Sequence, residues 1–126
     1  LLNKGTNQII LDAYNANPSS MAAAIDNFAR IKHENKIAIL ADMFELGDYS
    51  KDEHAKVVDQ LLNKGIDKAI LIGKHFHGIA DRSSDFTFFE TTEQAASYLK
   101  ERPIENSFVL VKGSRGMKLE GLINLL

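Results

Sequence analysis

The sequence contains no cysteine and no tryptophan, and only two of its 126 residues are proline. The absence of cysteine excludes disulfide bonds, a thiolate nucleophile and any zinc site built on sulfur ligands. Few prolines, 44% hydrophobic residues and 25% charged residues are typical of a globular protein and not of a disordered or fibrous one. We therefore expect a folded domain without covalent cross-links, and a reducing compartment, by default the cytoplasm.

Neither sign of charge predominates, since the formal net charge is -2 at pH 7 and both signs are interspersed. The chain therefore has no basic stripe of the kind that binds nucleic acid or an anionic membrane. No apolar run approaches the roughly 18 residues that a membrane span needs. We expect no nucleic-acid partner and no membrane span.

The length is that of one ordinary domain with a single core. The chain opens with LLNKGTNQII and has neither an initiating methionine nor a signal-like leader. We therefore expect one domain over residues 1–126 that is a fragment of a longer chain. Its first residues are expected to form a tether or an edge strand.

Four short runs are apolar throughout, which is typical of strands buried on both faces of a parallel sheet. They are QIIL at 8–11, KIAIL at 36–40, KAILI at 68–72 and FVLV at 108–111. These runs predict central parallel strands near 8–12, 36–41, 68–72 and 107–112. A weaker run, FTFFE at 86–90, predicts an edge strand.

Helical patterns separate the apolar runs and predict helices near 18–32, 52–64, 92–101 and 117–125. Three helix starts are indicated by capping residues, namely Asn17 before Pro18, Ser50 with Glu53, and Thr91 with Gln94. Strands and helices in strict alternation predict an α/β fold with a mostly parallel sheet and helices on both faces.

Ligands of open parallel sheets bind outside the carboxyl ends of the strands. The segments that leave those ends are DAYNANPSS, ADMFELGDYS, GKHFHG and KGSRG. Most of the unusual polar residues are therefore expected on one edge of the sheet.

The stretch DAYNANPSS holds more polar groups than a helix start requires. Asn17 is explained as the helix cap, whereas Asp12, Tyr14 and Asn15 are not. An acid at the end of a strand can accept two hydrogen bonds from a ribose diol, and the neighbouring Tyr14 and Asn15 can orient a ring or a phosphate. We predict that Asp12, Tyr14 and Asn15 bind a nucleotide.

The stretch KGSRG combines two glycines, two cations and a hydroxyl between a buried strand and a helix. Lys112 and Arg115, with backbone N–H groups at a helix start, can bind a carboxylate or a phosphate. It is not a P-loop, because the chain contains neither GxxxxGK[ST] nor GxGxxG.

The stretch ADMFELGDYSKDEH places Asp42, Glu45 and His54 after the second strand. Two acids and a histidine suggest a metal or an acid/base pair, but a positioning role is favoured over catalysis. His75 and His77 do not face together on a helix and have no further ligand nearby. We expect no metal site.

These residues resemble the motifs of the ATP-dependent Mur ligases of bacterial cell-wall synthesis. The matching stretches are DAYNANPSSM at 12–21, ADMFELG at 41–47 with Ser50 and His54, and KGSRGMKLE at 112–120. The three motifs, in order, cover the whole chain. One departure is Ala41, where the family usually has glycine.

The resemblance implies a three-layer, Rossmann-like C-terminal domain that closes over a central ATPase domain. Within the family, the motifs are most similar to those of the member that adds D-Ala-D-Ala to UDP-N-acetylmuramoyl-tripeptide through an acyl phosphate. It implies that Asp12, Tyr14 and Asn15 face ATP, and that Lys112, Ser114 and Arg115 face the incoming amino-acid substrate.

It also implies that the P-loop and the Mg²⁺ ligands belong to the central domain and the UDP pocket to the N-terminal one. The isolated fragment is therefore expected to be inactive and to hold no cofactor of its own. Asn17, Asp42, Glu45 and His54 remain candidates for positioning, His54 without an assigned role.

Two other classes fit the outline less well. A signalling receiver domain needs an acceptor aspartate after its third strand, where this chain has ILIGKH. A stand-alone α/β module that binds a nucleotide or an amino acid remains the alternative.

Overall fold

Six strands form one sheet in residues 1–13 and 15–126, the part of the chain that the computed structural model describes. They are β1 (Leu2–Lys4), β2 (Asn7–Asp12), β3 (Lys36–Ala41), β4 (Ala69–Ile72), β5 (Thr87–Phe89) and β6 (Phe108–Lys112). The order is β1-β2-β6-β3-β4-β5, with β1 antiparallel to β2 and all other neighbours parallel. The four predicted central strands and the edge strand β5 are confirmed, and the first residues form the other edge.

Five α-helices accompany these strands in the described residues. They are α1 (Pro18–Arg30), α2 (Ser50–Asn63), α3 (Lys74–His77), α4 (Thr92–Glu101) and α5 (Glu120–Ile123). Short 3₁₀ turns lie at Gly47–Tyr49, Ala80–Arg82 and Arg115–Met117. No described helix combines the length and the apolar character that crossing a bilayer requires.

The first three predicted helices are confirmed to within two residues, but the predicted helix over 117–125 is wrong as one continuous element. Lys118 has φ of 56°, in the left-handed region, between a 3₁₀ turn and the four-residue α5. A left-handed residue cannot continue a right-handed helix, so the segment divides there.

Two of the three predicted caps are confirmed. The Asn17 side chain accepts a hydrogen bond from the Ser20 amide at 2.9 Å, and Thr91 forms the equivalent box with Gln94. The predicted capping box of Ser50 with Glu53 is wrong. Ser50 is itself the first residue of α2, where its hydroxyl lies near two histidines instead of the helix amides.

Both faces of the sheet are covered, which confirms the three-layer α/β architecture. Leu40 and Leu71 lie in a core with α1 and α2, whereas Ile39 and Ile70 lie in a second core with α4 and α5. Successive side chains of a strand point to opposite faces, so a strand between two helical layers must be apolar at every position. This explains why the four central runs show no alternation.

The last crossover determines where the candidate site forms. After β5, α4 returns across the sheet, and β6 inserts between β2 and β3. The KGSRG turn is therefore placed between the loops that follow β2 and β3, although it lies about a hundred residues from the first of them in sequence.

Candidate functional site at the carboxyl edge of the sheet

Three loops meet at the carboxyl ends of β2, β6 and β3 and are joined by hydrogen bonds. The Gly113 amide donates to the Asp12 carbonyl at 3.2 Å, and the Ser114 hydroxyl donates to the Asp42 carbonyl at 3.2 Å. The predicted convergence of polar segments on one edge is therefore confirmed for these loops.

Asp12 and Lys112 form an ion pair at the centre of this edge. They are direct neighbours in the parallel pairing of β2 with β6, and Lys112 Nζ lies 2.7 Å from Asp12 Oδ2. The Lys112 side chain is only 1% exposed, whereas that of Asp12 is 50% exposed. The lysine is thus covered by protein, and the acid presents its other half to solvent.

The same lysine also bonds to the segment that follows β2. Lys112 Nζ donates to the Asn15 carbonyl at 3.2 Å, while the Asn15 residue itself is exposed. Asn17 caps α1, as its chemistry predicted. Tyr14, the third residue predicted to face a nucleotide, lies outside the described residues.

The KGSRG turn passes very close to β3. A Cβ placed on Gly113 would lie 2.7 Å from the Ala41 Cβ and 2.7 Å from Leu119 Cδ1. Ala41, where the family usually has glycine, is accommodated because its neighbour Gly113 has no side chain. Beyond this contact, Ser114 is buried and Arg115 is exposed at the start of its 3₁₀ turn.

The Asp42 carboxylate is buried and acts within the fold. Its Oδ2 accepts from the His75 amide at 2.9 Å, and its Oδ1 accepts from the Phe76 amide at 3.0 Å. The carboxylate therefore satisfies the first amides of α3, and its predicted positioning role at a ligand stays a prediction. Glu45 lies exposed in the same loop, in a left-handed conformation with φ of 64°.

His54 is completely buried and neutral. The Met43 amide donates to His54 Nε2 at 3.0 Å, so the ring proton is assigned to Nδ1, which lies 2.7 Å from the Ser50 carbonyl oxygen. Burial, the dominant cause, lowers the pKa of His54 below its ordinary value of 6.5, although Asp42 opposes this shift. The side chain therefore joins the loop after β3 to the start of α2.

A cleft of about 380 Å³ adjoins these loops, above the carboxyl ends of β3, β4 and β5. Its wall includes Asp42 and His75, and its exposed charged residues are Lys74, Lys118, Glu90 and Glu93. The sequence interpretation did not include these four residues. Applying the strand-end rule to the edge strand β5 as well would have identified Glu90 and Glu93.

Within the described residues, no three His, Asp or Glu side chains converge in a way that could hold a metal ion.

A three-layer domain with a mostly parallel sheet is the architecture that the Mur ligase resemblance implied. The family model described as "Mur ligase, glutamate ligase domain" matches residues 2–115. The chain belongs to this family, as a Mur ligase C-terminal domain.

Two relatives of similar sequence are ligases with the same name. A UDP-N-acetylmuramoyl-tripeptide--D-alanyl-D-alanine ligase of Bacillus subtilis is 35% identical over 91% of this chain. The ligase of the same name from Rickettsia prowazekii is 30% identical over 98% of it. This chain spans only 27% and 28% of the lengths of these relatives.

Solved structures agree with the sequence relatives. MurF from Acinetobacter baumannii superimposes with a TM-score of 0.83 at 27% identity, over 98% of this chain and 28% of the other. The MurF ligase from Thermotoga maritima, solved in complex with ADP, gives 0.80 at 25% identity, over 98% and 29%.

Proposed function

We propose that this chain is one wall of the active site of an ATP-dependent ligase that adds D-Ala-D-Ala to UDP-N-acetylmuramoyl-tripeptide in peptidoglycan precursor synthesis. The names of its relatives support this reaction. Because the chain spans less than a third of their length, the N-terminal and central domains of a longer chain would supply the remaining walls.

The observation that carries the proposal is the hydrogen-bonded edge formed by the three motif loops. The turn after β6 is bonded to both neighbours: Gly113 donates to Asp12 at the end of β2, and Ser114 donates to Asp42 in the loop after β3. Ligands of such sheets bind at this edge, so a domain that closes over it would enclose its substrates there.

We assign the nucleotide to Asp12 and Asn15 at this edge, and, from its residue type and the family resemblance alone, to Tyr14. Asp12 suits a ribose diol because its carboxylate is half exposed while Lys112 holds one of its oxygens. ATP and Mg²⁺ would be bound mainly by the central domain, as the family resemblance implies.

The dipeptide side consists of Ser114 and Arg115 in the KGSRG turn and the adjoining cleft, while Lys112 at the base of the turn is buried. D-Ala-D-Ala carries a carboxylate at one end and an amine at the other. Arg115 and the cleft residues Lys74 and Lys118 offer cations for the first, and Glu90 and Glu93 offer carboxylates for the second. A cytoplasmic location is part of the proposal, because ATP and UDP-N-acetylmuramoyl-tripeptide are both expected there.

The test is release of inorganic phosphate from ATP by the complete ligase. We expect release only when UDP-N-acetylmuramoyl-tripeptide and D-Ala-D-Ala are both present. Turnover with a single amino acid in place of the dipeptide, or binding of nucleotide without any ligation, would contradict the proposed reaction.

An arginine pair tests the dipeptide side within the same assay. Arg115→Ala should raise the KM for D-Ala-D-Ala by about 10- to 150-fold, the value of a hydrogen bond to a charged group. Arg30→Ala is the matched control, because Arg30 lies exposed at the far end of α1. If Arg115→Ala raised the KM for ATP and left the KM for the dipeptide unchanged, the nucleotide and dipeptide sides would be assigned the wrong way round.

A further inference from the structure

We propose that Lys112 is a positioning residue for the nucleotide, acting through Asp12 and the Asn15 carbonyl instead of contacting the dipeptide. This inference rests on the proposed function, because it assigns the nucleotide to the Asp12 loop.

The position of the lysine favours this role. Its side chain is 1% exposed, so a substrate cannot reach the ammonium unless the pair with Asp12 opens. Two donor bonds, of 2.7 Å to Asp12 Oδ2 and 3.2 Å to the Asn15 carbonyl, direct Nζ toward the turn after β2. Both partners belong to the nucleotide side of the edge.

The geometry has two consequences for Asp12. First, the contact to Oδ2 fixes the carboxylate rotamer and leaves Oδ1 available to accept from a ligand hydroxyl. Second, the ammonium compensates the charge of a carboxylate that would otherwise repel the phosphates of a bound nucleotide. Because the lysine is buried, this compensation is screened little by salt.

The second of these two bonds restrains the loop that carries Asn15. The bond from Lys112 to the Asn15 carbonyl spans from the end of β6 to the loop that precedes α1. It restrains the loop in the absence of ligand, so less ordering is left for binding to accomplish.

The experiment measures the KM for ATP, the KM for D-Ala-D-Ala and the equilibrium Kd for ADP in the complete ligase. The variants are Lys112→Met, Asp12→Asn and the double variant, with Lys100→Met as the matched control because Lys100 is exposed on α4. Lys112→Gln, which retains a donor, is included as the milder substitution. Circular dichroism and thermal melting establish which variants are folded.

We expect Lys112→Met to raise the KM for ATP and the Kd for ADP by about 10-fold or more, with Lys112→Gln between it and the wild type. The KM for the dipeptide should change by less than about two-fold. Because the lysine acts through Asp12, Lys112→Met should raise the KM for ATP and the Kd for ADP little further in a chain that already carries Asp12→Asn.

Three results would overturn the inference. The first is a raised KM for the dipeptide with an unchanged KM for ATP. The second is an effect of the double variant equal to the product of the effects of Lys112→Met and Asp12→Asn. The third is a loss of thermal stability in Lys112→Met and Lys112→Gln without a change in nucleotide affinity. Absence of dipeptide-dependent turnover in the wild type would contradict the proposed function instead, and the Kd for ADP would still decide the role of Lys112.

Discussion

At the scale of the residue, the burial of Lys112 decides how much stability a substitution in the Asp12–Lys112 pair costs. Removing one member of a buried pair leaves an uncompensated charge, which costs more than the pair contributes. Here the Lys112 side chain is buried and the Asp12 side chain is half exposed, so the cost of replacing Asp12 depends on whether the new side chain can still accept from Lys112.

Asp12→Ala should therefore lower the free energy of unfolding by about 1–3 kcal/mol, since the Lys112 ammonium remains buried without its carboxylate partner and keeps only the Asn15 carbonyl. Asp12→Asn should cost clearly less, because the amide oxygen can still accept from Nζ. Asp67→Ala, at an exposed aspartate between α2 and β4, is the control. Urea unfolding at pH 7 measures all three, and equal losses for the alanine and asparagine variants at position 12 would contradict the role given to Lys112.

His54 makes the stability of the domain depend on pH. Burial lowers the pKa of His54 from 6.5, so below about pH 6.5 the unfolded chain binds a proton that the native state does not. Its contribution is complete above that pH and is lost as the pH falls toward the folded pKa, by up to about 1.4 kcal/mol per pH unit.

Between pH 7.5 and 5.5 the wild type should lose stability from this source, because the lowered pKa of His54 makes the unfolded chain bind more protons, and His54→Gln should not lose this part. His77→Gln is the matched control, because His77 is exposed. Urea unfolding at the two pH values gives the comparison. The same loss in His54→Gln as in the wild type would exclude His54 as its source.

At the scale of the element, the short helix α3 depends on a glycine and an acid that meet before it. Gly73 has φ of 126°, and a Cβ on it would come within 2.2–2.5 Å of the Asp42 carboxyl atoms. Asp42 in turn accepts from the first amides of α3. The end of β4, the loop after β3 and one wall of the cleft are thus one unit.

Gly73→Ala should lower the free energy of unfolding by about 2–4 kcal/mol, since it combines backbone strain with displacement of a buried cap. Gly121→Ala is the matched control: a Cβ there meets nothing within 4 Å, and α5 should gain from alanine by about 0.5–1 kcal/mol. Thermal or urea unfolding measures both. A mild effect at Gly73 would mean that the Asp42 carboxylate can move without loss.

At the scale of the whole molecule, the candidate site lies on an open edge and offers few groups to any one ligand. Asp12 with the turn after β2 provides one acid and a few neutral polar groups, and the KGSRG turn provides one exposed cation. A few net hydrogen bonds of about 1 kcal/mol each are set against several kcal/mol for immobilising a ligand.

The isolated 126-residue domain should therefore bind ATP no more tightly than about millimolar and should hydrolyse none. Calorimetry or an NMR titration of the domain measures the affinity, with the complete ligase as the comparison. A micromolar Kd, or any turnover, would mean that this chain carries a complete site and would favour a stand-alone nucleotide-binding module.

The sequence by itself determined the features that depend on neighbours along the chain. The apolar runs defined the four central strands, because a strand covered on both faces has no polar position to offer. The Asn17 and Thr91 caps were predictable since each box is closed within four residues. The strand-end rule then placed the polar loops on one edge.

Only the tertiary structure decided which polar groups form hydrogen bonds or ion pairs within the protein. Ser50 has the sequence of a cap, yet packing brings its hydroxyl to His54 and His75. Lys112 has the sequence of a substrate ligand, yet the insertion of β6 beside β2 buries it against an acid a hundred residues away. Local patterns encode propensity and periodicity, whereas strand order sets burial and charge pairing between distant residues, and burial decides whether a charged side chain meets a ligand or its own fold.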